Sequence, residues 1–559
     1  ADNNTTTLTS TGVITVNGAT TDGIYNSGDN NITIVHGSIF VNGNGESRSG
    51  DWSSGIYNDG NNSKTTLSGS IKTTGDYLAG IYIATGGNGA VGIWDQGDSN
   101  TTTVSGSITT DGTEAFGISN GGNNNTTSIS GTVKATGTRS AALFNWSGSG
   151  NSFTLNEGAT IIGNILARES PGTDATNSKL IFNLGASTSY AYSVSGEGEG
   201  TGSGQWIFSD LDRSSQVVTT TGTGCGTHMY SLRPNACNLV TGVSTGNLEA
   251  QDELQFSMNS SMIGSLSLGS SNSTAPVEAM SFAQTPQNNA WFNIYGDTSD
   301  RSASTTKLAF DGSNRGLTIG TPVSISDTLN LDLVFNASNA NLDIGSAREQ
   351  QITARSYNVG AVLRDLAPST GLAVDAFGFV GRNSYDGKRK VMNNQEATGS
   401  ETVTAAYSGS EILVGVDAQY SNPINDTLNF IGGVNASLSN EKIGAYSESK
   451  YFSWDARTMM QATGGITAGL EYNKNAFTSF ATLSLQRSSL QKGKTATYTN
   501  NGTAGSFTDS STGDTRRSIT VGFDYAGSEN MTFSGAVEAF SSTGGVSGNS
   551  ASLSANWKF

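Results

Sequence analysis

Along the first 245 residues the apolar positions come in short bursts, strand-like alternations such as Thr103-Val104-Ser105 and Ser128-Ile129-Ser130 set in a fabric of Gly, Ser, Thr and Asn. The bursts repeat. Gly23-Ile24-Tyr25-Asn26 returns as Gly55-Ile56-Tyr57-Asn58, Gly92-Ile93-Trp94-Asp95, Gly117-Ile118-Ser119-Asn120 and Ala142-Leu143-Phe144-Asn145, at intervals of 32, 37, 25 and 25 residues. Gly37-Ser38-Ile39 returns as Gly69-Ser70-Ile71, Gly106-Ser107-Ile108 and Gly131-Thr132-Val133, each copy 14 residues after its partner. The longer intervals read as a 25-residue unit with insertions of 7 and 12, because Gly80-Ile81-Tyr82 already falls 25 residues after Gly55. A unit this short cannot bury its own apolar face, whereas stacked units can, so the pattern predicts a right-handed parallel β-helix with Ile, Leu and Val inward. Asn26, Asn58, Asn120 and Asn145 then lie one above another as an amide ladder. Gly28-Asp29-Asn30, Asp59-Gly60-Asn61 and Gly97-Asp98-Ser99 are the turns, where positive φ is cheap. The register fades after Ile161–Ile165, and Lys179–Leu184 and Gln205–Phe208 read as the last coils. An open solenoid end needs a cap, and the segment around Cys225 and Cys237 is the candidate.

From Ala290 onward the pattern changes to long runs of period two: 290–297, 313–325, 328–337, 351–364, 371–381, 404–421, 427–437, 453–472, 476–487, 515–526, 530–541 and 549–559. Short turns between these twelve strands alternate with long polar loops at 298–312, 338–350, 382–403, 438–452, 488–514 and 542–548. An even number of strands with turns alternating short and long is the signature of an outer-membrane β-barrel, apolar toward lipid and polar toward the lumen. Closure also removes the exposed edges of so large a sheet. A soluble β-sandwich is the alternative, and it leaves the last residues unexplained. Leu553, Trp557 and Phe559 share a face of the final strand, and this ending resembles the C-terminal signal read by the barrel-assembly machinery, with Ser554 where that pattern often has Gly.

Taken together, the repeat, a linker of small residues and a C-terminal twelve-stranded barrel resemble a monomeric (type Va) autotransporter of Gram-negative bacteria over essentially the whole chain. The resemblance implies an all-β fold in three parts: a passenger at 1–245 with its cap, a linker at 246–284, and a translocator barrel at 285–559. It places the barrel in the outer membrane and the passenger at the cell surface. Between them, Leu248–Leu266 carries Leu248, Asp252, Phe256, Ser260 and Ile263 at helical spacing. The resemblance implies a helix threading the lumen with its polar face to the wall; an ordinary interdomain linker is the alternative. Some members of the family cut themselves at an Asn in this helix, and Asn259 occupies the position to do so, although the expectation here is an uncut chain. Partners implied are the barrel-assembly machinery, periplasmic chaperones and outer-membrane lipid, with an extracellular ligand or neighbouring cells for the passenger and a monomeric state.

Composition narrows the chemistry. The chain has 29 Lys and Arg against 46 Asp and Glu, a net charge of −17, which offers no basic footprint to nucleic acid. Residues 1–284 hold 9 of the basic and 22 of the acidic residues, a net of −13. No run approaches the ~20 apolar residues of a membrane-spanning helix. An Ala start suits a mature exported protein, or a trimmed chain. The two Cys, close together in an exported chain, read as a disulfide worth roughly 3 kcal/mol; with His228 alone nearby, a metal site lacks a fourth ligand. No cofactor or metal is expected. The acidic turns lack the nine-residue calcium repeat. Gly97-Asp98-Ser99, which looks like a lipase motif, falls at the repeat position of Gly28-Asp29-Asn30, and His36 has no nucleophile suggested beside it. No catalytic residue is expected. Trp52, Trp94 and Trp146 with Tyr25, Tyr57 and Tyr82 form either ladder packing or an external aromatic stripe. Surface display of an adhesin or interaction surface is therefore the leading function. A secreted hydrolase passenger and a diffusion porin are the alternatives.

Overall fold

Each repeat supplies one strand to each of three parallel sheets. The computed structural model describes residues 2–558 apart from 19–20, 43–52, 76–77, 85–96, 113–114, 138–139, 146–147, 168–176, 186–187, 196–205, 212–217, 223–236, 243–245, 270–288, 304–307, 327–328, 346–349, 365, 367–371, 501, 509–512 and 529. Two compact units form: Ala1–Ser244 with Lys390–Thr402, and Thr245–Arg389 with Val403–Phe559.

In the first unit, Ile24–Asn26 pair in parallel with Ile56–Asn58, and Ser38-Ile39 with Ser70-Ile71, then Ser107-Ile108, then Thr132-Val133. The 25-residue reading of the long interval holds: Ile81 lies between Ile56 and Ile118, so the next coil stacks on 78–84. The Gly92 copy lies outside the described residues. Val35, Leu67, Val104, Ile129 and Leu155 form one inward column, and Ile39, Ile71, Ile108 and Val133 another, all at 0–1% exposure. Each such side chain contributes about 1.5–3 kcal/mol of burial. The glycines of the second motif are needed because the coils approach backbone to backbone. A Cβ on Gly69 would run into the Gly37 carbonyl, one on Gly106 into Gly69, and one on Gly131 into Gly106.

The first sheet has eight strands, ending at Trp206–Asp210, and the second has six, ending at Thr160–Ile162. The third ends differently. Ser189–Ser195 pairs antiparallel with Cys237–Gly242, which pairs antiparallel with Val218–Gly222. Reversing strand direction leaves no parallel edge of the same kind for another coil, which is how this hairpin acts as a cap. The Cys225–Cys237 pairing lies outside the described residues.

The second unit is a closed barrel of twelve antiparallel strands. They are β1 Asn289–Arg301, β2 Phe310–Ser326, β3 Leu329–Ile344, β4 Gln350–Arg364, β5 Leu372–Met392, β6 Ser400–Pro423, β7 Leu428–Ile443, β8 Arg457–Lys474, β9 Phe477–Lys492, β10 Asp514–Ser528, β11 Met531–Ser542 and β12 Val546–Lys558. Closure comes from β1 on β12, with Ile294 opposite Leu553. All twelve expected strands are present, but the long loops are shorter than expected. Only 393–399 separates β5 from β6, where the alternation had suggested 382–403. The loops expected at 438–452 and 488–514 together form a four-stranded sheet of Tyr446–Ser447, Phe452–Trp454, Thr495–Asn500 and Thr503–Thr508.

The reason is visible on β6. Its outward positions are Thr402, Thr404, Ala406, Ser408 and Ser410, and then Ile412, Val414, Val416, Ala418 and Tyr420. About ten residues suffice to cross a bilayer. The strand continues beyond the apolar band with a polar outer face, which looks like loop in sequence. Exposed Tyr420, Phe430, Tyr472, Phe477, Tyr525, Phe533 and Trp557 gather near the ends that carry the short turns, as an interfacial aromatic girdle does. Leu553 and Trp557 both face outward, at 56% and 54% exposure. Phe559 lies outside the described residues. Phe377 and Val380, three apart, fall on opposite faces: Phe377 is buried inside and Val380 is exposed.

Candidate functional site: a helix in the barrel lumen

Among the described residues, one α-helix is present, α1 Gly246–Gly269, longer than the expected 248–266 by two or three residues at each end. It lies within the barrel, against β1, β2, β3, β4 and β12. Leu254, Met258, Met262 and Leu266 recur every fourth residue and so share one face. Leu254 and Met258 pack with Phe310, Ala340, Leu342 and Ile352, while Met262 and Leu266 pack with Trp291, Val334, Val362 and Leu413. The wall therefore receives an apolar stripe as well as polar groups, which corrects the expectation of a polar face alone. The lumen supplies apolar patches at levels where the helix presents Leu and Met. Of the residues expected on the helix, Phe256 and Asn259 are buried and Ile263 is half-buried against the second patch. Leu248 and Asp252 lie in the first turns of α1, and their side chains fall outside the described residues.

Polar contacts set the level and rotation of the helix. Asp297 on β1 accepts from Ser257 Oγ at 2.9 Å, from Ser261 Oγ at 2.5 Å and from Asn314 Nδ2 at 3.2 Å. Glu411 on β6 accepts from Asn259 Nδ2 at 2.7 Å and from Gln255 Nε2 at 3.3 Å. Behind it, Asn383 joins Glu411 to Glu441, and Tyr385 donates to Glu441 at 2.6 Å. Near the helix C-terminus, Arg364 is clamped by Asp332 at 2.9 Å and Asp375 at 3.0 Å. The same guanidinium donates to the Leu266 carbonyl at 3.5 Å. The last turn of α1 has no basic residue of its own, so the wall provides the positive charge that a helix C-terminus favours.

None of Asp297, Arg364, Asp332, Asp375, Glu411 or Glu441 was singled out from the sequence. The usable signal is a charged residue inside an alternating strand, at the position facing opposite to Ile and Val. Glu411, beside Ile412 and Val414, is such a residue.

In the passenger, Asn26 Nδ2 donates to Asn58 Oδ1 at 3.0 Å, and Asn120 is in register with Asn145, but Ile83 stands between the two pairs. The expected column is thus interrupted. Asn26, Asn58 and Asn120 also turn to a Thr seven residues on, as Asn58 does to Thr65 at 2.5 Å and Asn120 to Thr127 at 3.3 Å. Two continuous ladders run at the turns instead. The side-chain oxygens of Asn31, Ser63, Asn100, Asn125 and Asn151 each accept a backbone N–H from the preceding coil. In the other, Asp29, Asn61, Asp98 and Asn123 accept from the next coil at 2.7–2.8 Å. Asp and Asn alternate over these four, which keeps carboxylates on successive coils apart. Asp98 and Ser99 are therefore structural turn residues. His36 Nδ1 lies 2.6 Å from Ser68 Oγ on the exposed surface. The Tyr25 and Tyr57 rings are 5.1 Å apart, with Tyr25 exposed. Trp52, Trp94, Trp146 and His228 lie outside the described residues. Burial raises the Asp22 carboxyl above its ordinary range, against hydrogen bonds from the backbone and side chain of Ser54.

Residues 290–538 match the family model described as the autotransporter beta-domain. Among solved structures, the chain is similar to the translocator domain of autotransporter NalP from Neisseria meningitidis, with 15% identity, 56% of this chain and 98% of that one covered, and a TM-score of 0.41. It is also similar to the beta domain of the Bordetella autotransporter BrkA, at 13% identity, 49% and 100% coverage and a TM-score of 0.36. The transport unit of AIDA-I from Escherichia coli matches at 12% identity, 54% and 97% coverage and a TM-score of 0.37. Among curated proteins none matches. The family match, on a closed twelve-stranded barrel with lipid-type outer faces and a helix inside, identifies residues 290–538 as an autotransporter β-domain, the outer-membrane translocator of type V secretion.

Proposed function

We propose that this chain displays its β-helix at the cell surface as an adhesin or interaction surface, with α1 and the barrel as its transport unit. The observation that supports the reading most is α1 itself. The segment that follows the repeats in sequence lies inside the barrel, fastened by Asp297, Glu411 and Arg364. A lumen filled by a fastened helix also argues against an open diffusion porin. Export by coil stacking needs no nucleotide, because each folded coil stabilises the next and disfavours sliding back. The barrel-assembly machinery reads Leu553, Trp557 and Phe559, and periplasmic chaperones escort the unfolded chain.

Protease shaving of intact cells tests this reading. A protected fragment beginning near residues 245–290, whose gel mobility shifts on boiling, is the expected result; complete digestion overturns it. Deleting residues 1–244 should abolish adherence while leaving that fragment in place. Adherence that survives the deletion removes the adhesin part.

A second reading is favoured by the 2.7 Å contact between Asn259 Nδ2 and Glu411. In this reading Glu411 takes a proton from that amide as its nitrogen attacks the Asn259 carbonyl carbon. The Asn259–Ser260 peptide bond then breaks, the proton passes from Glu411 to the Ser260 nitrogen, Ser260 leaves as an amine and Asn259 ends as a succinimide. Mass spectrometry of the mature protein separates the two readings. An intact chain keeps the first, whereas a fragment starting at Ser260 that disappears in Glu411→Gln establishes the second.

A further inference from the structure

On β2, β4, β5, β9 and β10 the outward apolar column ends at an arginine. β2 runs from Ile319 through Leu317 to Arg315, and β4 from Val359 through Tyr357 to Arg355. β5 passes from Val380 to Arg382, β9 from Leu483 through Leu485 to Arg487, and β10 from Val521 through Ile519 to Arg517. Residues two apart share a face of a strand, so each Arg stands on the lipid-facing side, one step past the apolar band. All five are exposed. Each lies toward the long-loop end of its strand, which in such a barrel faces outside. At the short-turn end, β2, β5, β9 and β10 present Val323, Leu372, Phe477 and Tyr525 instead. The charge therefore belongs to one leaflet, the outer.

Register gathers these side chains. Arg315 is opposite Asn339, and Asn339 is opposite Arg355. With strands about 4.8 Å apart, Arg315 and Arg355 are separated by about 10 Å with an amide between them. Arg382 is opposite Tyr357, two residues from Arg355, which makes Arg355 and Arg382 diagonal neighbours about 7–8 Å apart. Elsewhere on the barrel, Arg517 is opposite Leu485, again two residues from Arg487. Among the described residues none of the five guanidiniums makes an ion pair or a hydrogen bond. The outward carboxylate of Asp386 lies diagonally beyond Arg355 and does not pair with it.

Like charges set diagonally on one face repel, and beside a lipid band they are poorly screened. The arrangement costs stability unless an anion sits between them. We propose that these arginines are a docking surface for phosphorylated lipid of the outer leaflet. One headgroup site is formed by Arg315, Asn339, Arg355 and Arg382, and a second by Arg487 and Arg517. Phosphate oxygens accept from two guanidiniums at once, and the planar fork of Arg fits them better than a Lys ammonium. The acyl chains lie along the apolar columns directly below, continuous with the lipid-facing band. That column is what a lipid uses and a free phosphate does not. The surface belongs to the barrel's anchorage, whatever the passenger binds.

The test uses the purified full chain folded in a zwitterionic detergent. It is titrated with a bisphosphorylated diglucosamine lipid, and retained lipid is counted by native mass spectrometry. Arg355→Gln with Arg382→Gln should weaken retention at the first site by about tenfold or more, the loss of at least one charge-assisted hydrogen bond, and leave the second site alone. Arg487→Gln with Arg517→Gln should do the converse. Lys474→Gln removes an exposed charge at the short-turn end and should change nothing. Equal loss in Lys474→Gln overturns the proposal, as does equal retention of the same lipid stripped of its phosphates. Displacement by inorganic phosphate at matching concentration also overturns it, because the site then takes a free anion. The comparison of phosphorylated with stripped lipid needs only the unaltered chain, so a variant that fails to fold does not spare the proposal. None of these readouts uses export, and each outcome leaves the display reading where it stands.

Discussion

The two units use the same alternation of side chains across a strand and point it in opposite directions. In the β-helix, Ile39, Ile71, Ile108 and Val133 are buried and the outer face is mostly Thr, Ser, Lys and Asn, with a few exposed apolar residues such as Val13. In the barrel, Asn293, Asn336, Asp375, Glu411 and Glu471 are buried, while Ile294, Leu333, Val414, Ile466 and Leu483 are exposed. A period-two pattern therefore fixes which residues share a face but leaves open which face is inside. The solvent decides that: water outside the solenoid, lipid outside the barrel. The units also deal differently with open edges. The barrel closes β1 on β12, whereas the solenoid must end somewhere and ends on a reversed hairpin and on residues 390–402.

The largest effect should come from the barrel's inverted interior. Arg364→Ala leaves Asp332 and Asp375 as uncompensated buried carboxylates, a loss of about 3–5 kcal/mol. The temperature at which the barrel loses its compact mobility on a gel should fall, and Arg364→Lys should recover only part of it, since Lys cannot reproduce the forked contact.

Next comes a direct inversion test. Leu483 in the barrel and Val13 in the solenoid are about equally exposed, at 65% and 63%. Leu483→Arg should destabilise the barrel by about 2–4 kcal/mol in a bilayer. Val13→Lys should stay within about 0.5 kcal/mol. Equal effects, read by urea titration in liposomes, would break the comparison.

Smaller still, Asn125→Ala removes the acceptor for the buried Asn100 N–H, at about 1–3 kcal/mol, and should lower the urea midpoint of the passenger while leaving the barrel's heat transition alone. The smallest concerns Asp22. Because burial raises its pKa in the folded state, the folded form holds the proton more tightly than the unfolded one. Stability is then greatest below the ordinary carboxylate range and declines as pH rises through the raised value. Asp22→Asn should flatten that slope in passenger denaturation, and an unchanged slope assigns it to another group.

Repetition is what made the solenoid legible. The Gly-Ile-Tyr-Asn and Gly-Ser-Ile motifs give its register residue by residue, including Ile81 where an insertion hides it. The strand count of the barrel was equally plain, because each strand carries about ten alternating residues. What escaped were features whose residue type does not stand out from its surroundings. The ladder of Asn31, Ser63, Asn100, Asn125 and Asn151 lies in turns, where any small polar residue looks alike. The outer halves of β5 and β6 are polar on the face that leaves the membrane, so they read as loop.

Local pattern alone thus determined two β architectures and their sizes, because strand period is a property of neighbours in sequence, while the helix between them was marked by helical spacing and by the family resemblance together. The tertiary structure decided which groups meet across large separations. Asn259 reaches Glu411, Arg364 reaches the end of α1, and Asn394 reaches Gly163 and Ser193. None of these pairs is marked in the chain, since a buried polar side chain acquires its partner only when barrel closure and coil stacking bring distant groups within hydrogen-bond reach of it.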